Sequence, residues 1–115
     1  MRVLVCGGRN FADKALLSRT LDSLYQKEGI STLIEGEARG ADKLSAQWAE
    51  AYDIKILRFP ANWKLYGRSA GYVRNRQMLT EGKPDLVIAF PGGRGTEMMC
   101  DIAQRIGVEV RKIVS

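Results

Sequence analysis

None of the 115 residues is histidine. That removes histidine triads, histidine zinc sites and the commonest general base from the chemistry open to this chain. Groups that could hold an anion are, by contrast, concentrated in four short stretches: "GGRN" (7–10), "GEARGAD" (36–42), "FPANWKLYGRSAG" (59–71) and "FPGGRGTE" (90–97). Each carries arginine, and the last places Gly92, Gly93 and Gly95 within four positions. Glycine lets a backbone approach an anion closely enough for its N–H groups to cradle a phosphate. Arg9, Arg39 and Arg94 would add forked contacts to the oxygens.

The elements between these stretches decide where they lie. "RVLVC" (2–6), "STLIEG" (31–36), "IKILRF" (54–59), "PDLVIAF" (84–90) and "VEVRKIV" (108–114) read as strands. They are short, apolar and β-branched, and the partial alternation of the last suggests an edge position. Helical patterns intervene. Leu17, Leu21 and Leu24 share one face of a first helix that stops at Gly29. Ala41, Leu44, Trp48 and Ala51 form the stripe of a second. "AGYVRNRQMLTEG" (70–82) reads as a third, and Met99, Ile102 and Ile106 face inward on a last helix that stops at Gly107. "PANWKLYGRSAG" (60–71) fits no regular element and reads as a loop carrying aromatics.

Strict alternation of strand and helix predicts an α/β fold: one Rossmann-like domain over residues 1–115, with an open, mainly parallel five-stranded sheet covered by helices on both faces. In such a sheet all carboxyl ends share one rim. The four glycine–arginine stretches follow strands one to four, so they collect there, each leading into a helix start whose N–H groups are unpartnered. The opposite rim ("QKEG", "AYD", "TEGK", "RIG") reads as ordinary solvated turns. Glycine after a strand also serves a tight β-to-α turn, so "GGRN" alone would not separate turn from ligand site.

Composition sets the outer bounds. The chain is 45% hydrophobic and 27% charged, which places it among globular proteins and outside disordered ones. It has no apolar run approaching a membrane span, and "MRVLVCGG" lacks a signal-peptide core, so the expectation is a cytoplasmic protein without membrane contact. Cys6 and Cys100 sit among apolar residues without metal or disulfide spacing, so they read as buried free thiols. No metal and no cofactor are expected. The net charge of +5 favours an anionic partner without naming one.

"GGRGT" lacks the Lys-Ser/Thr pair of an ATPase loop, and "CGGRNF" lacks dinucleotide-fingerprint spacing; Glu35, just before its glycine, is the one acidic residue near the end of the second strand. Arg74 and Arg76 are two apart on the third helix, so only one can face the rim. Trp63 and Tyr66 could stack on a base or cap the core. With histidine absent, the acid–base candidates on the rim are Glu97, Glu37 and Asp42, besides Tyr66 or Tyr72, although Asp42 could equally cap its helix.

"GGRNF", "GEARGAD", "FPANWKLYGRSAGYVRNRQML" and "PDLVIAFPGGRGT", in that order and over almost the whole chain, resemble the YspA-like (YpsA-related) branch of the SLOG superfamily. The resemblance implies a Rossmann-like domain that binds a nucleotide or nucleotide-derived small molecule, as a sensor or an accessory to a partner protein. Gly7, Gly8, Arg9, Arg39, Gly40, Arg74, Gly92, Gly93, Arg94, Gly95 and Thr96 are then the expected binding residues, and a homodimer through helices beside the site is an expectation of the same kind. Two relatives frame the alternatives. The LOG enzymes hydrolyse nucleoside monophosphates to base and ribose phosphate, and the DprA proteins bind single-stranded DNA. Pro91, Gly92, Gly93, Gly95 and Thr96 match the LOG signature, as does Arg74. The chain then departs, with Asn75 where those hydrolases have lysine, and Met98 and Met99 where they have glutamates. Cleaving an N-glycosidic bond passes through a cationic sugar that needs a nearby carboxylate, which methionine cannot supply. Glu97 is one position early, about 100° round a helix. A phosphoribohydrolase or nucleoside transferase would have to use Glu97, Glu37 or Asp42. Nucleic-acid binding would draw on the net positive charge and "RNR".

Overall fold

The computed structural model describes residues 1–114. Five strands, β1 (Arg2–Cys6), β2 (Thr32–Glu35), β3 (Lys55–Arg58), β4 (Leu86–Ala89) and β5 (Glu109–Lys112), form one sheet in the order β3-β2-β1-β4-β5. Every neighbouring pair is parallel: Leu4 is opposite Ile34 and Val87, for example, and Val87 is opposite Val110. The helices are α1 (Lys14–Lys27), α2 (Ala41–Ala51), α3 (Trp63–Tyr66), α4 (Ala70–Thr80) and α5 (Arg94–Arg105).

Side-chain alternation along the strands makes two cores. Val3, Val5, Leu33, Leu86 and Ile88 pack against Leu17, Leu21 and Leu24 of α1 and Trp48 and Ala49 of α2. Their neighbours Leu4, Cys6, Ile34, Val87 and Ala89 pack against Met78 and Leu79 of α4 and Met99, Cys100, Ile102 and Ala103 of α5. With both faces covered, the central strands can be apolar at every position, as β4 is. The outer strands β3 and β5 expose Lys55, Arg58, Glu109 and Arg111, charges that discourage edge-to-edge pairing. Cys6 and Cys100 are free and buried.

Local signals explain the helix ends. The Asp13 carboxylate accepts from Leu16 N at 3.0 Å and opens α1. Gly29, at φ +78°, closes it by donating to the carbonyls of Leu24 and Tyr25.

Three details differ from expectation. Ala51 is exposed, and the buried stripe of α2 runs through Ala41, Ser45, Trp48 and Ala49. Ile106 is 51% exposed because α5 ends at Arg105, and Ala103 completes its buried face instead. The aromatic stretch is more regular than a loop. The Asn62 side chain accepts from Leu65 N at 3.0 Å and starts α3, and a 3-10 turn (Gly67–Ser69) links α3 to α4. No helix among the described residues is long and apolar enough to cross a membrane.

Candidate functional site

The strand order reverses between β1 and β4, and the loops that follow these two strands part there to leave a crevice. Backbone contacts hold its mouth. Gly8 N donates to the Pro91 carbonyl at 2.9 Å, joining the loop after β1 to the loop after β4. The Gly8 carbonyl accepts from Phe11 N at 3.2 Å and from Ala41 N at 3.4 Å, bringing in the start of α2. Such crossings leave no room for side chains. A Cβ on Gly7 would stand 2.6 Å from the Ala41 Cβ. Gly40, at φ +74°, would drive one into the Gly8 carbonyl, and Gly92 into the Thr96 hydroxyl. Gly93 and Gly95 differ: a Cβ there would meet nothing within 4 Å, and both line the crevice.

The loop after β2 is tied down by charged side chains. One oxygen of the buried Asp42 carboxylate accepts from Gly36 N at 3.1 Å and Ala38 N at 3.2 Å. Asp42 therefore organises the turn before α2 and leaves the cap position to Gly40. Burial pushes its carboxyl above the usual range, opposed by the Ala38 amide, by Arg74 and by the Gly36 amide. The Arg74 guanidinium lies against Gly36, 2.6 Å from where a Cβ would stand, and donates to the Gly36 carbonyl at 2.7 Å. Desolvation lowers its pKa below the usual guanidinium range, with Asp42 working the other way.

Glu35, at the end of β2, is 1% exposed. Its Oε2 accepts from Glu37 N at 3.0 Å, while Oε1 has no hydrogen-bond partner; the nearest cation, Arg58 Nε, is 3.8 Å away. Burial foremost, then the charge of Asp42, raises its pKa from 4.5 to about 7.

The crevice encloses about 430 Å³. Gly7, Gly8 and Arg9 from the loop after β1, Asp42 of α2, Arg74 of α4, and Gly93, Gly95 and Thr96 at the start of α5 line it. α5 begins here with Gly93 as its cap residue and no side-chain hydrogen bond to its first N–H groups. That end of the helix can accept oxygens of an anion. Beside it lies the buried Asn75, whose amide donates to the Gly95 carbonyl at 3.3 Å and fastens α4 to the first turn of α5.

The expected site residues thus divide. Arg9, Arg74, Gly93, Gly95 and Thr96 face one space together. Arg39 and Glu37 line an adjoining hollow. Gly40 lies in the packing beneath the loops, and Gly92 packs there too while bordering a separate surface hollow. Arg94 and Glu97 are exposed and stand outside the crevice lining. Gly36 and the roles of Asn75 and Glu35 had no signal in spacing. Gly36 and Arg74 are 38 positions apart, and a glycine–guanidinium contact has no local pattern.

The model of the YspA, cpYpsA-related SLOG family matches residues 1–66. The Gene 61 protein of Mycobacterium phage D29 is 33% identical over 117 residues, covering 95% of this chain and 93% of its own length. The chain belongs to the YspA, cpYpsA-related SLOG family. For this SLOG chain a similar solved structure is MurG of Acinetobacter baumannii, at 14% identity and a TM-score of 0.56. The match covers 96% of this chain and 34% of that one, so the SLOG chain spans about a third of it. At that identity the likeness concerns the fold alone.

Proposed function

We infer that this SLOG domain binds a phosphate-bearing nucleotide or nucleotide derivative in the crevice between β1 and β4, as a sensor or accessory domain. The uncapped start of α5 carries the inference. Gly93 and Gly95 leave its N–H groups open to the crevice, Thr96 adds a hydroxyl, and Arg9 and Arg74 supply positive charge in the same lining. Family membership supports the same ligand class.

Hydrolysis of the ligand is the second reading, supported by Asp42, whose carboxylate lines the crevice. Against it, that carboxylate already accepts two loop amides, and Glu97 lies outside the lining.

The test incubates the protein with nucleoside monophosphates, cyclic nucleotides, NAD and ADP-ribose, following melting temperature and product masses. A ligand at about a hundred times its Kd adds ~2.7 kcal/mol of stability, a plain melting shift. An intact, phosphate-dependent ligand supports binding. Free base with sugar phosphate makes the protein a hydrolase. If no compound shifts the melt and single-stranded oligonucleotides do, the crevice reading is abandoned.

A further inference from the structure

A second hollow, of about 460 Å³, opens beside the crevice. The two share Arg9, Ala38, Trp63 and Arg74 as lining, so a ligand can lie across both. Resting on the phosphate reading above, we propose that this hollow seats the purine ring of the nucleotide, stacked on Trp63.

The indole is the first observation. Trp63 is 52% exposed, which is unusual for a large aromatic with only a packing role. It borders both hollows, and its rim lies near Gly71, 3.9 Å from where a Cβ would be, an ordinary van der Waals distance. Arg9 stands 5.9 Å from the ring centroid, at the outer limit of a cation–π contact. Its guanidinium is free to move on to a phosphate or to cover a stacked base.

The rest of the lining fits a base better than a second phosphate. Pro60 and Ala61 give apolar contact. Glu37 puts a carboxylate in the hollow, which repels a phosphate and accepts from ring or amino N–H groups. Arg39 offers donors to ring nitrogen or carbonyl acceptors. A purine covers more of the indole than a pyrimidine does, so stacking favours the larger ring.

The fluorescence of Trp63 provides the readout. The other tryptophan, Trp48, is buried and donates its indole N–H to Asp22 at 2.9 Å, so a ligand in the hollow changes the Trp63 signal. The full chain is titrated with AMP, GMP, CMP, UMP, adenosine, guanosine and ribose 5-phosphate, by fluorescence and by calorimetry. AMP or GMP is expected to quench Trp63 and to bind at least tenfold tighter than ribose 5-phosphate and than either pyrimidine nucleotide. Trp63→Ala should weaken the purine nucleotide about 10- to 100-fold, the range of one base stacked on an aromatic, and Trp63→Phe should retain most of the affinity. Unchanged affinity in Trp63→Ala, or ribose 5-phosphate binding as tightly as the purine nucleotides, overturns the ring seat while leaving the phosphate site standing. Pyrimidine nucleotides that bind equally well overturn the purine assignment. Adenosine or guanosine binding as tightly as its monophosphate, with Trp63 quenched, removes the phosphate site and keeps the ring seat. No binding by any of them overturns the ring seat, and the phosphate site then stands or falls on the cyclic nucleotides, NAD and ADP-ribose.

Discussion

Replacing Glu35 by glutamine should make the protein more stable above neutral pH and leave it unchanged in acid. The carboxylate is buried, one oxygen lacks a partner, and its pKa stands at about 7 against an ordinary 4.5. Between those values the folded state holds a proton that the unfolded chain has released. Stability therefore falls as pH rises from 4.5 towards 7 and levels off above. At ~1.4 kcal/mol per tenfold change, the gap is worth at most ~3.5 kcal/mol. Solvent near the loop and the partly exposed Arg58 screen the charge, which brings the expected effect to ~1–2 kcal/mol. Glutamine keeps an oxygen for Glu37 N and cannot ionise. Its melting temperature at pH 8 should exceed the wild type by roughly 3–8 °C, with the two curves meeting near pH 4.5. Asp42 is also raised, but it is present in both proteins, so the difference between the curves reports Glu35 with its couplings. Thermal melts every half pH unit from 4.5 to 8.5 give the measurement. Parallel curves, or a less stable glutamine variant at pH 8, would refute the reasoning and make Arg58 a sufficient partner for the charge.

Three further outcomes separate packing from binding. Gly95→Leu puts a side chain into open space at a helical position, so it should fold with unchanged or higher melting temperature and lose phosphate-dependent ligand binding. Gly40→Ala combines φ +74° with a collision against the Gly8 carbonyl, and should cost at least ~2 kcal/mol in denaturant melts whether or not ligand is present. Asp42→Ala leaves the N–H groups of Gly36 and Ala38 without their acceptor, and should cost ~2–4 kcal/mol and speed hydrogen exchange at residues 36 and 38.

Element type was legible because the chain keeps its periods: apolar runs at strand length and stripes of three and four along the helices. Errors fell where local pattern meets a boundary. Ile106 continues the helical stripe on paper, but the helix has ended one residue earlier, and nothing in the apolar period marks that. The short helix at 63–66 was hidden for a related reason. Four residues are too few to show a period, and its start depends on a single side-chain bond from Asn62.

The glycines show what sequence can and cannot separate. All of them signal close approach, yet Gly7, Gly40 and Gly92 are approached by this chain's own backbone and side chains, while Gly93 and Gly95 face open space. Which is which depends on the meeting of loops some thirty to eighty residues apart, information that no local pattern carries. The carboxylates divide in the same way. Glu35 and Asp42 are committed to the amides of Gly36, Glu37 and Ala38, the loop that Arg74 also grips. Each has one oxygen outside those bonds, but a proton taken up there would discharge the carboxylate, weaken its hold on the amides and so loosen the loop beside the crevice. Binding makes no such demand, since with the loop intact Arg74 is held in the crevice lining that it shares with the start of α5. On the binding reading, the same side chains that weaken the case for catalysis would pre-organise the crevice for an anion.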